Sequence, residues 1–182
     1  MAEPAHQVLT ELLVLRAQAG RGDAIGLLVR VWQERLLRHA RRLTGRDDAA
    51  GDVLQEAWID IARGLGRLDD PSRFGSWAYK IVTRRCALWV RRQQRRRVVE
   101  RDVAVAREPT PDVQAATDTT DAVRVALGRL PADQQAILEL RYVEEYGIKQ
   151  IAEVLGIAEG TVKSRLFHAR EHLRDIITKV TQ

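Results

Sequence analysis

A chain of 182 residues that is 45% hydrophobic, 30% charged and only 5% aromatic has the make-up of a globular protein, and its wealth of Ala, Leu, Val and Arg favours helices over sheets. It holds no run of apolar residues long enough to span a membrane, and the opening MAEPAHQVLTELL lacks the basic, apolar and small-residue succession of a secretory leader, so no membrane insertion and a cytoplasmic location are expected. The single cysteine, Cys86, excludes an intramolecular disulfide and a cysteine-cluster metal site.

The net charge of +5 is unevenly spread. Residues 1–97 carry 19 Lys and Arg against 11 Asp and Glu, residues 98–122 carry 2 against 6, and residues 123–182 carry 9 against 8. A basic first half suits a polyanion such as DNA; a solvated arginine-rich surface gives the same composition.

Along the chain, Ile25, Leu28, Trp32, Leu36, His39 and Leu43 recur at helical spacing, which predicts an amphipathic helix from Ala24 to Leu43 that stops at Gly45. Asp47 and Asp48 can cap a second helix carrying Val53, Leu54, Ala57, Trp58, Ile61, Ala62 and Leu65. The stretch GLGRLDDPSRFG reads as a loop. A third helix follows from about Gly75 to Arg97, with Trp77, Ala78, Ile81, Val82 and Leu88 on one side and arginines crowding its far end. Trp77 shares a face with Ile81 and Leu88, which favours a core role over a platform for base stacking.

From Val98 the periodicity fades, the charge turns acidic, and Pro109 and Pro111 interrupt any helix. The expected organisation is therefore all-α: a helical domain over 1–97, a flexible linker over 98–121 and a second helical domain over 122–182. The tether offers no periodic apolar face to dock the halves together, which predicts that they fold separately. In the second half a short helix is expected from Asp121 to Leu130. Pro131 then suits the first position of a helix running to about Glu144, followed by helices Ile148–Leu155 and Glu159 to about Ile177.

The run IKQIAEVLGIAEGTVKSRL has the grammar of a helix-turn-helix. Ala152 is small where two helices cross, Gly156 permits a turn at positive φ, and Ile157 and Val162 fill the space between them. Its second helix turns Glu159, Thr161, Lys163, Ser164, Phe167, His168 and Arg170 outward or partly so. Thr161 and the first backbone amides suit phosphates. Lys163, Ser164 and His168 can meet base edges, and Phe167 either contacts a thymine methyl or belongs to the core. His168 and His172 stand four apart, but no acidic or cysteine third ligand accompanies them, so no metal site is expected.

LPADQQAILELRYVEEYGIKQIAEVLGIAEGTVKSRLFHARE closely resembles the promoter-reading carboxy-terminal domain of extracytoplasmic-function (ECF) sigma factors. AGDVLQEAWIDIARGLGRL followed by FGSWAYKIVTRRCALWVRRQQRRR resembles the same family's core-binding and promoter-melting region. The resemblance implies that the helix bearing Lys163, Ser164, Phe167 and His168 enters the major groove of the minus-thirty-five element. It implies that Asp52, Gln55 and Glu56 dock on core RNA polymerase. It further implies that the loop from Arg67 to Phe74 and the following helix accept the minus-ten element, with Arg73, Phe74, Lys80, Arg84, Arg85, Arg91 and Arg92 at the DNA. The linker resembles the tether that threads the polymerase channel, and a plain spacer remains its alternative.

Four positions depart from the family pattern. Gly51, Arg84 and Leu88 replace its common Glu, Asn and Asp, and His168 replaces an Arg, so base recognition is expected to differ there. The expected function is promoter recognition for core RNA polymerase, with promoter DNA as ligand and an anti-sigma factor as a further partner common in the family. A two-domain activator that never joins polymerase is the alternative. No nucleophile and base pair, phosphate-cradling glycine loop or paired carboxylates appear, so neither an enzyme nor a cofactor is expected.

Overall fold

The computed structural model describes residues 4–101 and 126–180. Seven α-helices are found there, with no strands among the described residues: α1 Pro4–Gln18, α2 Gly22–Thr44, α3 Asp47–Gly64, α4 Phe74–Arg101, α5 Ala132–Tyr142, α6 Ile148–Leu155 and α7 Glu159–Val180. Two short 3-10 turns, Leu65–Arg67 and Pro71–Arg73, join α3 to α4, and residues 126–128 form a helical turn ahead of α5. Most of the linker expected over 98–121, and most of the helix expected from Asp121, lies outside the described residues; α4 continues through Arg101.

In the first unit the stripe of α2 buries Leu28, Trp32, Leu36 and His39 with Ala24 and Ala40, while Ile25 and Leu43 are half-buried. Gly45 ends the helix at φ 67°, where its N–H donates to the Arg41 carbonyl at 2.8 Å. A left-handed residue is needed there, and glycine supplies it without a Cβ penalty. Asp47 and Asp48 do not cap α3: the cap residue is Arg46, and the two aspartates lie in the first turn. There they favour the positive helix end and pair with Arg41 at 3.1 Å and Arg46 at 2.5 Å. The true side-chain cap in this unit is Asp70, whose carboxylate accepts from the Ser72 N–H at 2.9 Å, with Pro71 starting the 3-10 turn.

On α4 the buried face is Phe74, Ala78, Tyr79, Val82 and Cys86, with Trp77 and Ile81 half-buried beside it. Leu88, expected on that face, is 38% exposed, because it lies a wide angle round the helix from Val82. Ala62 of α3 is likewise exposed. Helix α1, for which the sequence reading named no apolar stripe, adds Leu13 and Val14 to the core, and its Thr10 Oγ1 accepts the Trp32 indole N–H at 3.1 Å. Rings pack edge-on through this centre: Trp32 against Phe74 (5.5 Å between centroids) and His39 against Tyr79 (4.9 Å).

In the second unit Pro131 is the cap residue of α5, one place before the position expected for it, and the helix stops at Tyr142. Gly156 turns the chain between α6 and α7 at φ 67°, and Val162 and Ile151 are both buried while Ile157 is half-buried. The Gln150 side chain accepts the Gly147 N–H at 3.0 Å, fixing the start of α6.

The two units are not held by the tether alone. Helix α2 packs on α5 and α4 on α6, and one apolar cluster runs through both units.

Candidate nucleic-acid interface

Helix α7 sorts its residues by face. Val162, Leu166 and Ala169 are buried, whereas Thr161, Lys163, Ser164, Phe167, His168 and Arg170 are exposed. Phe167 is 54% exposed, with its ring 5.5 Å from the His168 ring, which settles its place in favour of the outer face rather than the core. Arg165 is exposed as well, one helical turn beyond Thr161. That spacing was visible in the sequence, and Arg165 was passed over. Arg170 stands apart from the outer group: its Nε donates to the Leu166 carbonyl at 3.2 Å, and it lines an apolar cleft of about 330 Å³ between α5 and α7 with Leu138 and Leu173. His172 bonds Gln134 at 3.0 Å, and among the described residues no group of three His, Cys, Asp or Glu side chains is placed to hold a metal.

On the first unit Arg73, Lys80, Arg84, Arg91 and Arg92 are exposed. Phase decides two other residues differently from expectation. Phe74 is fully buried, edge-on to Trp32, so it is a core residue with no surface to offer a nucleic acid. Arg85 is committed inside the unit, its Nε donating to Asp60 at 2.6 Å and its Nη1 to Glu56 at 2.8 Å. The hydrogen bond it donates to Asp60 leads the effects that raise its already high pKa, so its charge is fixed and already matched. A groove of about 350 Å³ opens between the loop and α4, lined by Arg67, Asp70, Arg73, Trp77 and Lys80. Trp77 therefore both packs on Phe74 (6.1 Å between centroids) and lines the groove.

Asp52, Gln55 and Glu56 are exposed together on the outer side of α3. Glu56 differs from the other two in being tethered to Arg85, which fixes one end of this polar face to α4.

Sequence reasoning missed the polar groups of the seam between the units. Glu139 is 3% exposed and pairs with Arg42, while His39 Nδ1 lies 3.2 Å from its Oε2. His39 Nε2 lies 2.9 Å from Thr83 Oγ1. Burial works to raise the Glu139 pKa, but the His39 hydrogen bond and the charges of His39 and Arg42 outweigh it and hold the carboxyl below its usual value. Glu144, also buried, lies 3.9 Å from Arg35, and Arg73 meets Glu153 of α6 at 2.5 Å. The Tyr146 ring stands edge-on to Tyr79 at 5.7 Å. The Tyr79 hydroxyl is pushed to a higher pKa by burial first and by Glu144 second. Glu139 sits in AILELRY between apolar neighbours, and a lone acid there reads as the exposed side of a helix.

Two small helical units, the second a helix-turn-helix with an outward row of polar and basic side chains, define a two-part DNA-binding protein. Residues 28–96 match the family description "Sigma-70 region 2" and residues 120–173 match "Sigma-70, region 4". The chain is 33% identical over 172 residues to the ECF RNA polymerase sigma factor SigM of Mycobacterium tuberculosis, covering 94% of this chain and 86% of that protein. To SigW of Bacillus subtilis it is 24% identical over 180 residues, covering 92% and 96%. The fold is similar to that of the sigma factor RpoE of Bartonella quintana in complex with the anti-sigma factor NepR, with TM-score 0.66 and 21% identity over 82% of this chain and 94% of that one. It is also similar to CnrH in complex with the cytosolic domain of CnrY, with TM-score 0.64 and 22% identity over 94% and 98%. The chain belongs to the ECF RNA polymerase sigma factors. With region 2 present, the reading as an activator that stands apart from polymerase falls away.

Proposed function

We propose that this sigma factor divides promoter recognition between its two units. Helix α7 enters the major groove of the upstream element, where Lys163, Ser164, Phe167 and His168 face base edges while Thr161 and Arg165 hold phosphates. The first unit takes the minus-ten strand in the groove beside Arg73, Lys80 and Arg84, with Arg91 and Arg92 neutralising flanking phosphates. Asp52 and Gln55, with Glu56 steadied by Arg85, form the acidic face that docks on core polymerase. Catalysis belongs to the polymerase, and the protein works in the cytoplasm. No described helix is long and apolar enough to cross a membrane. An anti-sigma factor is a further partner, by analogy with the complexes of similar fold.

The observation that carries this reading is the clean segregation of α7, in which three apolar side chains face inward and every residue assigned to DNA faces out. The test is reconstitution with core polymerase followed by transcription in vitro from a panel of promoters. Selective initiation that disappears when Lys163 and Ser164 are replaced by alanine supports the reading. Failure to co-migrate with core polymerase overturns it.

A further inference from the structure

Helix α1 is apolar on two opposite faces. One face, with Leu13 and Val14 buried and Ala17 half-buried, packs into the first unit. The other carries Val8, Leu9, Leu12 and Leu15, which are 42–65% exposed, together with exposed Ala5. Ala5, Val8, Leu12 and Leu15 follow one another at spacings of three, four and three residues, the rhythm with which a helix presents a continuous seam to a second helix. A contiguous apolar stripe of this kind on the surface of a folded protein commonly marks a contact site. The helix is already held in place by its inner face, so a partner arriving on the outer one has little backbone to order.

The flanking charges say what the stripe fits. Glu11 borders it on one side and Arg16 on the other, five positions apart and turned away from each other round the helix, so the two do not pair within one chain. In a parallel pair of helices packed along such a seam, a residue on one flank of the first helix meets the residue five positions later on the opposite flank of the second. A second copy of α1 therefore sets Glu11 of each chain against Arg16 of the other, twice by symmetry. Neither side chain is locked elsewhere. Arg16 meets Asp23 at 3.1 Å in an exposed ion pair and keeps further N–H donors, while Glu11 accepts the Gln7 amide at 3.0 Å, also at the surface. No residue of the stripe or its flanks belongs to the groups assigned to polymerase or DNA.

We infer that α1 is a self-association surface: two copies of the chain pair through parallel α1 helices, with Val8, Leu12 and Leu15 in the seam and a Glu11–Arg16 pair on each side. Stable interfaces bury about 800 Å² per partner, more than one face of a helix of 15 residues supplies, so the pairing is reversible, with a Kd of roughly ten micromolar or weaker.

Sedimentation equilibrium of the full-length chain across the micromolar range tests this, with far-UV circular dichroism as the control for folding. The average mass of wild type is expected to rise from one chain towards two. Leu12→Glu puts a charge in the seam at a position already exposed, so it leaves Tm unchanged and weakens self-association by about tenfold or more. Glu11→Arg and Arg16→Glu each set like charges opposite one another and weaken it about three- to tenfold. Mixed together, these two variants regain opposite charges on both sides and are expected to associate as well as wild type does. A wild-type sample that keeps the mass of one chain throughout overturns the inference. So does a mixture of Glu11→Arg and Arg16→Glu chains that associates no better than either alone, since the helices are then not paired in this register. Flotation with phosphatidylglycerol vesicles tests a lipid surface as the other occupant: vesicle binding lost in Leu12→Glu, by a chain that stays single in solution, assigns the stripe to lipid and overturns the pairing.

Discussion

Gly75→Ala is the substitution whose effect the packing fixes most directly. The new methyl carbon would lie 2.7 Å from Trp32 Cη2, about 1 Å short of a comfortable carbon contact. Trp32 cannot swing aside. Its indole donates to Thr10, its ring abuts Phe74 and Tyr79, and the residue is 5% exposed. Overpacking of this kind costs about 1–3 kcal/mol, and two contacts at 2.7 Å place residue 75 in the upper part of that range, about 2–3 kcal/mol; the gain in helix propensity on replacing glycine returns up to about 1 kcal/mol, so a net loss of about 1–2 kcal/mol is expected. For a chain of this size that lowers Tm by about 2–8 °C, measurable by far-UV circular dichroism. The second close contact, to Tyr146 Oη, adds a distinguishing arm. In a Tyr146→Ala background the Tyr146 clash is gone but the Trp32 clash remains, so Gly75→Ala should still lower Tm there by most of the same amount. A Gly75→Ala chain that melts at or above the wild-type temperature refutes the claim that residue 75 is held bare by Trp32.

Phe167→Ala should change Tm by no more than a surface substitution does, within about 0.5 kcal/mol, while weakening holoenzyme binding to upstream-element duplex; a large fall in stability would return Phe167 to the core. Glu139 has a depressed pKa in the docked chain, so its contribution to docking is complete above the ordinary glutamate range and is lost as pH falls through the depressed value. Scattering across an acid titration should show wild type expanding in that window, with Glu139→Gln expanded throughout. Cys86 is buried and its thiol is pushed up to about 12 by desolvation, so alkylation at neutral pH should be slow in the native chain and fast in denaturant; rapid native labelling would contradict its place in the core.

Periodicity carried the α2 stripe and the boundaries of α6, because each of those helices gathers its apolar residues on one side at helical spacing. The same logic recovered the outward row on α7, except for Arg165. It faltered where burial depends on residues far along the chain. Tyr79 and Glu139 look amphipathic or polar in their own helices and are buried only because α5 and α6 lie against α2 and α4. Phe74 was legible as the first residue after a turn but not as core, since its neighbour Trp32 comes from another helix 42 positions earlier. The family resemblance assigned Arg85 to DNA; only the positions of Asp60 and Glu56 on the adjoining helix show that its charge is already taken.

All four tryptophans of the chain, Trp32, Trp58, Trp77 and Trp89, belong to the first unit. The intrinsic emission of the protein is therefore a one-sided signal, blind to events confined to the helix-turn-helix. Trp32 adds a useful exception: it lies beside Gly75, where the hydroxyl of Tyr146 arrives from the other unit. Departure of the second unit changes the surroundings of this indole without touching its hydrogen bond to Thr10. An unlabelled chain thus carries its own optical gauge of how the two units are arranged, and with the other three tryptophans replaced by phenylalanine that gauge would be read by stopped-flow as polymerase is added.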